Sequence, residues 1–286
     1  MPGQPSIRQV TSKTRPSFLF EGRAAGDIDT EAVYDIGCSG LQELGSIDPT
    51  VLSFRETLFS EDCKEYDRSS ATVGDERRLD DELGRFLLHL SPYFLLKPAH
   101  CCLEWLVRAF RVHSCNVDQV VECVLPYYQT GLFVRMVQLL PIKSHSSPWH
   151  WLRPIQKSGK PLSHQTLINH CLSDHAFLVF ICELAMKSVR VHRHRPTGSR
   201  ASVALFTSAV ACSLEQTNSV TEELVTTLIP HLTRGLKSKN KDLCAACLSL
   251  VGLLCGRTHL ASRLVESLLG SIAKVGCTAW PHWVVV

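Results

Sequence analysis

The chain has 286 residues, 45% hydrophobic and 20% charged, with a formal net charge of +3 and a mean hydropathy of +0.05. That balance excludes wholesale disorder, 14 prolines and 16 glycines are too few for a collagen-like or low-complexity chain, and no apolar run approaches the ~20 residues of a membrane-spanning helix. Residues 1–84 carry 9 Lys and Arg against 17 Asp and Glu, and residues 85–286 carry 21 against 10; an acidic first part and a basic body lead us to expect two kinds of partner surface.

Residues 1–16 are polar and proline-bearing and read as a flexible arm; they lack the apolar stretch and small-residue cleavage site of a secretory signal. Residues 17–59 read as N-terminal helices. Asp29 or Thr30 opens one running to about Leu44, with Val33, Ile36, Leu41 and Leu44 at helical spacing, and Asp48-Pro49 is a second start signal. The charged, weakly periodic stretch 60–80 reads as a mobile acidic and polar linker.

From Asp81 to residue 274 the pattern is helix after helix. LGRFLLHL precedes a cap at Ser91-Pro92, and Pro98 opens a long helix through Cys102, Leu103, Trp105, Leu106, Ala109 and Phe110. Asn116 is placed to cap VDQVVECVL, with Gln119 positioned as in a capping box. Leu132, Phe133, Met136, Val137 and Leu140 form the next stripe. Residues 141–161 interrupt the rhythm with prolines, Trp149, Trp151 and basic residues; a loop of this length tends to be functional or disordered. Helices resume at Ser163, and the connector RVHRHRPTGSR separates the face Phe177, Phe180, Ile181, Leu184, Ala185, Val189 from Ala201–Leu214. No strict alternation and no Asn-Gly or Asp-Gly hairpin signals a strand. The expected fold class is all-α, built of antiparallel helix pairs.

The stretch 228–254 sharpens that architecture. Leu228, Leu232 and Leu236 form one helix face with Pro230 inside it; a polar turn follows; Asp242 stands where an N-cap belongs; and Leu243, Ala246, Cys247, Leu250, Val251 and Leu254 form a second face. This looks like a HEAT repeat, and VLPYYQTGLFVRMVQLL (124–140) echoes its first half. Such pairs cover their apolar faces only by stacking, so an α-solenoid is expected over 81–274. Residues 275–286, rich in Trp and Val, read as an irregular apolar tail and suggest a piece or alternative ending of a longer solenoid.

Sites of chemistry are sparse. The 13 cysteines are odd in number and mostly within apolar helical patterns, so they read as reduced, buried thiols. Cys244-x-x-Cys247 has ligand spacing but no companion pair nearby, and His192-x-His194 lies among arginines that would repel a metal. Phosphate-loop, dinucleotide, nucleophile-elbow and zincin motifs are missing. No catalytic residue, metal site, cofactor or small-molecule substrate is expected, and no membrane partner.

Three basic clusters remain as candidates for RNA or another polyanion. Lys143, Arg153, Lys157 and Lys160 share the 141–161 loop with Trp149 and Trp151, which could stack bases, or could pack on the body while the cations stay solvated. Lys187, Arg190, Arg193 and Arg195 form the second cluster, and Lys237, Lys239 and Lys241 the third, at a repeat turn. Turns along one edge of a solenoid would align them into a stripe.

Several uncommon strings point further: DIGCSGLQEL (35–44) with IDP (47–49), LSPYFLLKPA (90–99) with CLEWL (102–106), CVLPY (123–127) with FVR and QLL, SGKPL (158–162) and GLKS (235–238). Over roughly 17–274 the chain resembles the N-terminal region of the HEAT repeat-containing protein 1 family; residues through about Arg15 and the tail after Lys274 lie outside the match. The resemblance implies a very long helical scaffold of the nucleolar small-subunit processome, associated with U-three small nucleolar RNA, that supports pre-ribosomal RNA processing and ribosomal DNA transcription by RNA polymerase I. It implies processome proteins as partners, contact with small nucleolar or pre-ribosomal RNA, and no enzymatic residues. A generic HEAT or armadillo adaptor is the alternative.

Overall fold

The computed structural model describes residues 29–143 and 147–279, with side chains to Ala273. The arm 1–16, residues 17–28 and residues 280–286 lie outside the described residues. Among the described residues there is no strand, and the α-helices are α1 (Thr30–Ile47), α2 (Arg55–Leu58), α3 (Val73–Leu90), α4 (Lys97–Phe110), α5 (Val112–Cys115), α6 (Val117–Val124), α7 (Gly131–Leu139), α8 (Arg153–Ser158), α9 (His164–Ser173), α10 (His175–Val191), α11 (Arg200–Gln216), α12 (Glu222–Leu236), α13 (Lys241–Arg257) and α14 (Ser262–Ala279). The chain is an all-α solenoid.

Short polar side chains start many of these helices by accepting a backbone N–H that has no intrahelical partner. Thr72 accepts from Asp75 N, Thr130 from Phe133 N, Ser163 from Thr166 N, Asp174 from Ala176 N and Phe177 N, and Thr221 from Leu224 N. Asp48 does the same for the 3₁₀ segment Pro49–Phe54, where proline at the first position forfeits no bond. Pro230 sits inside α12, as the repeat pattern predicts.

Beyond α8 the helices form two layers. The pairs α10/α11 and α12/α13 pack as hairpins, while α9, α11 and α13 neighbour one another in one layer and α10, α12 and α14 in the other. Each layer covers the apolar face that a single hairpin would leave wet. At the α12/α13 contact a Cβ added at Gly235 would stand 2.1 Å from Cys247 Sγ, so the absence of a side chain sets how closely the helices meet.

The first region is less regular. Its main contact joins α1 to α4 across two intervening segments. Cβ atoms built on Gly37 and Gly40 would lie 2.5 Å from Trp105 Cβ and 2.6 Å from the Pro98 carbonyl. Trp105, fully buried, donates from Nε1 to the Leu58 carbonyl at 2.8 Å and meets Tyr34 edge-on with ring centroids 5.1 Å apart. Arg111, at φ 49°, takes the left-handed conformation that turns α4 into α5.

Four local expectations differ from the structure. Residues 60–80 are folded onto the body, because their charges are spent internally: Lys64 pairs with Glu31 and Glu61, and the Arg68 side chain, 8% exposed, donates to the Phe110 carbonyl at 2.9 Å and Asn116 Oδ1 at 2.7 Å and pairs with Asp80. α3 therefore begins at Val73, ahead of Asp81. Asn116 makes no capping bond; its amide is committed to Arg68 and Asp80. Asn240, not Asp242, caps α13, accepting from Leu243 N at 2.9 Å. At the other end α14 runs to Ala279, so residues 275–279 of the expected tail are helical.

Candidate polyanion-binding surface

The three basic clusters meet different fates. In the first, the loop folds into a 3₁₀ turn (His150–Leu152) and α8. Trp149 is 4% exposed; its Nε1 donates to Asp118 Oδ1 at 2.6 Å and its ring packs edge-on against Phe180. Trp151 stacks on His170 with ring centroids 4.1 Å apart and meets the edge of Phe177. The indoles anchor the loop to α6, α9 and α10, and stacking of bases on Trp149 is ruled out by its burial. Lys143, Lys157 and Lys160 stay exposed and Arg153 is half-buried.

The second cluster is divided. Lys187 pairs with Glu122 on α6, in a groove that also holds Asp118 and Asp174, surroundings unsuited to phosphate. Arg195 is tied down: its Nη1 donates to the Ile47 carbonyl at 2.9 Å and to Tyr93 Oη at 2.6 Å, and Asp48 lies 3.6 Å away. Burial alone would raise the Asp48 carboxyl, but hydrogen bonds from Thr50 and Tyr93 and the Arg195 charge outweigh it and hold the group below the usual carboxylate range. Arg195 is thus a clamp between the α10–α11 turn and the end of α1.

Arg190 and Arg193 belong elsewhere. They face the third cluster across an open cleft of 360 Å³ between the end of α10, the end of α12 and the α12–α13 turn. Arg234, Ser238, Lys239 and Asn240 complete its polar rim, while Met186, Val189, Pro196 and Leu243 supply apolar surface. The fold creates the cleft because the turns after α10 and α12 close successive hairpins on the same edge. Lys237 and Lys241 are exposed on the same turn without lining the cleft.

The electrostatics favour an anion. Among the described residues no ion pair includes Arg190, Arg193, Lys237, Lys239 or Lys241, whereas the acids of α10 and α13 are engaged: Glu183 by Arg234, and Asp242 by Arg200. Arg193 Nε donates to His194 Nε2 at 2.8 Å, which leaves its remaining guanidinium donors outward. The N-terminus of α13, capped by Asn240, adds its partial positive charge to the rim. Arg234, Ser238 and Asn240 are the rim residues that the sequence reading missed. Arg234 sits in the last turn of α12, where cations collect near free carbonyls, and taking that turn together with Lys237–Lys241 would have found it.

Several thiols belong to the core. Burial pushes Cys171 and Cys247 up to about 12, and Cys182 also well upward. Cys244 donates to the Leu236 carbonyl, and none of the described cysteines is in a disulfide. Among the described residues no group of three or more His, Cys, Asp or Glu is placed to hold a metal, and no single helix is long and apolar enough to cross a membrane.

HEAT repeat-containing protein 1 of Homo sapiens is 40% identical over 261 residues, 90% of this chain. The chain belongs to the HEAT repeat-containing protein 1 family. The Drosophila melanogaster homolog in this family is 36% identical over 95% of the chain, and U3 small nucleolar RNA-associated protein 10 of Aspergillus fumigatus is 29% identical over 90%. The chain spans 12% of the human relative, 13% of the fly relative and 15% of the fungal one. No family model matches it. The identity with the family thus runs through both the irregular first region and the ladder that carries the basic cleft.

Proposed function

We propose that the chain is a non-enzymatic scaffold segment in ribosome biogenesis, working in the nucleolus within the small-subunit processome. Its mechanism is presentation of surface: stacked hairpins hold partner sites at fixed separation, and the acidic and basic regions offer them opposite charge. Processome proteins are its partners, with small nucleolar or pre-ribosomal RNA contacted through cations of the basic body. The support is the likeness to a relative named as U3 small nucleolar RNA-associated along 90% of the chain. Through these contacts it supports early pre-ribosomal RNA processing and ribosomal DNA transcription.

The test is recovery of the tagged full chain from cells, with sequencing of the bound RNA and imaging of the tag. Nucleolar concentration and U3 RNA enriched over unrelated small RNAs is the expected result. A diffuse chain that recovers proteins without U3 RNA would overturn this reading in favour of a generic HEAT adaptor.

A further inference from the structure

The cleft between α10, α12 and α13 combines two chemistries that a plain phosphate patch does not need. Its lining includes Arg190 from α10 and, facing it from the α12–α13 turn, Lys239, neither of which an acid neutralises among the described residues. It also includes an apolar wall of Val189 and exposed Pro196, with buried Met186 and Leu243. The Ser238 hydroxyl, which accepts from Asn240 N at 3.1 Å, keeps its own proton for a ligand acceptor. The cleft is small, 360 Å³, and open to solvent.

We infer that this cleft seats one nucleotide of single-stranded RNA, its base laid against Val189 and Pro196 and its phosphate held between Arg190 and Lys239. The choice of RNA over another phosphate carrier rests on the scaffold reading above; the pairing of charged with apolar surface rests on the residues that line the cleft. A duplex keeps its bases stacked and cannot present one to the wall, whereas an unpaired strand splays bases at little cost. A phosphopeptide would satisfy the rim and leave the wall without a flat partner. The mechanism is capture of an unpaired stretch by one base and its backbone charge, with specificity for strandedness rather than for sequence.

The experiment uses the full chain and fluorescence anisotropy over a salt series. The probes are a labelled oligouridine, an RNA duplex of the same length, inorganic polyphosphate of matched charge and a phosphoserine peptide. Oligouridine should bind at least tenfold tighter than each of the others. The pair Arg190→Gln with Lys239→Gln should weaken it about tenfold and flatten the salt slope by about 1.4, near 0.7 for each cation removed. Pro196→Gly should weaken oligouridine and leave polyphosphate binding unchanged. Arg78→Gln, exposed on α3 and away from the basic body, should change neither. Binding of oligouridine that ignores the first pair, or equal or tighter binding of duplex, polyphosphate or phosphopeptide, overturns the inference. Failure to recover U3 RNA from cells with oligouridine binding intact would remove the cellular reading and leave the cleft standing; the converse pattern would remove the cleft alone.

Discussion

The region α1–α7 and the ladder α9–α14 use charge in opposite ways. In the first, several ionic groups are tied to distant parts of the chain: Arg68 is locked to Asp80 and Asn116, buried Asp48 is shared by Thr50, Tyr93 and Arg195, and Lys64 bridges exposed Glu31 and Glu61 at the surface. Among the described residues of the ladder no Asp, Glu, Lys or Arg is buried, and Arg190, Lys237, Lys239 and Lys241 stay exposed. An irregular helix arrangement needs specific long-range ties to fix one packing, whereas a repeated hairpin fixes its neighbours by shape and leaves its surface charge available to partners.

The sharpest way to break this contrast is to remove an inward tie. Arg68→Ala strips half-exposed Asp80 of its cation and buried Asn116 and the Phe110 carbonyl of their donor, and should cost about 1–3 kcal/mol in urea unfolding. It should also open residues 60–80 to limited proteolysis; a loss below about 1 kcal/mol would mean that the stretch is not held as described. Gly37→Ala drives a methyl against Trp105 and should cost about 1–3 kcal/mol. Gly252→Ala, on the exposed face of α13 with nothing within 4 Å, should instead stabilise by about 0.5–1 kcal/mol through helix propensity.

Acidity tests the join between the two regions. His89, in the last turn of α3, and His192, after α10, lie with ring centroids 5.6 Å apart, and His192 Nε2 is 3.1 Å from the Leu88 carbonyl. Burial pushes both imidazoles below their ordinary value near 6.5, as it does His100, His113, His170 and His231. The unfolded chain therefore binds protons that the folded chain refuses. Stability should fall as pH drops through about 6.5 and continue to fall until the depressed folded values are passed. Asp48 adds a second loss, below the ordinary carboxylate range near 3.8, because its folded value is lowered. Thermal melts between pH 8 and pH 5 on the parent and on His192→Gln would check this, with the shallower pH slope expected in the variant. A cap gives a similarly small effect: Thr221→Ala should cost about 1 kcal/mol and leave the first region's protease pattern unchanged.

The helices were legible wherever the signal was short in range. The 228–254 hairpin follows from leucines three and four apart and a polar turn, and α4 from Pro98 and the stripe ending at Phe110. The candidate site was legible only in composition. Arg190, Arg193 and Lys239 were named as basic, but so were Lys187 and Arg195, and the sequence offers no way to tell that the first three line one cleft while the last two serve as ties. Asn116 and Asn240 look alike as helix starts, yet one caps its helix and the other is drawn away by Arg68.

The sequence by itself determined the all-α class, the stacked hairpins and the charge asymmetry, because these depend on residues within a turn or two of one another and on simple counts. Only the tertiary structure decided which cations are free, because each neutralising partner lies far along the chain: Glu122 for Lys187, Asp48 and Ile47 for Arg195, Asp80 for Arg68. Helix periodicity is local physics, whereas the fate of a charge is set by whatever the fold brings within a few ångströms of it.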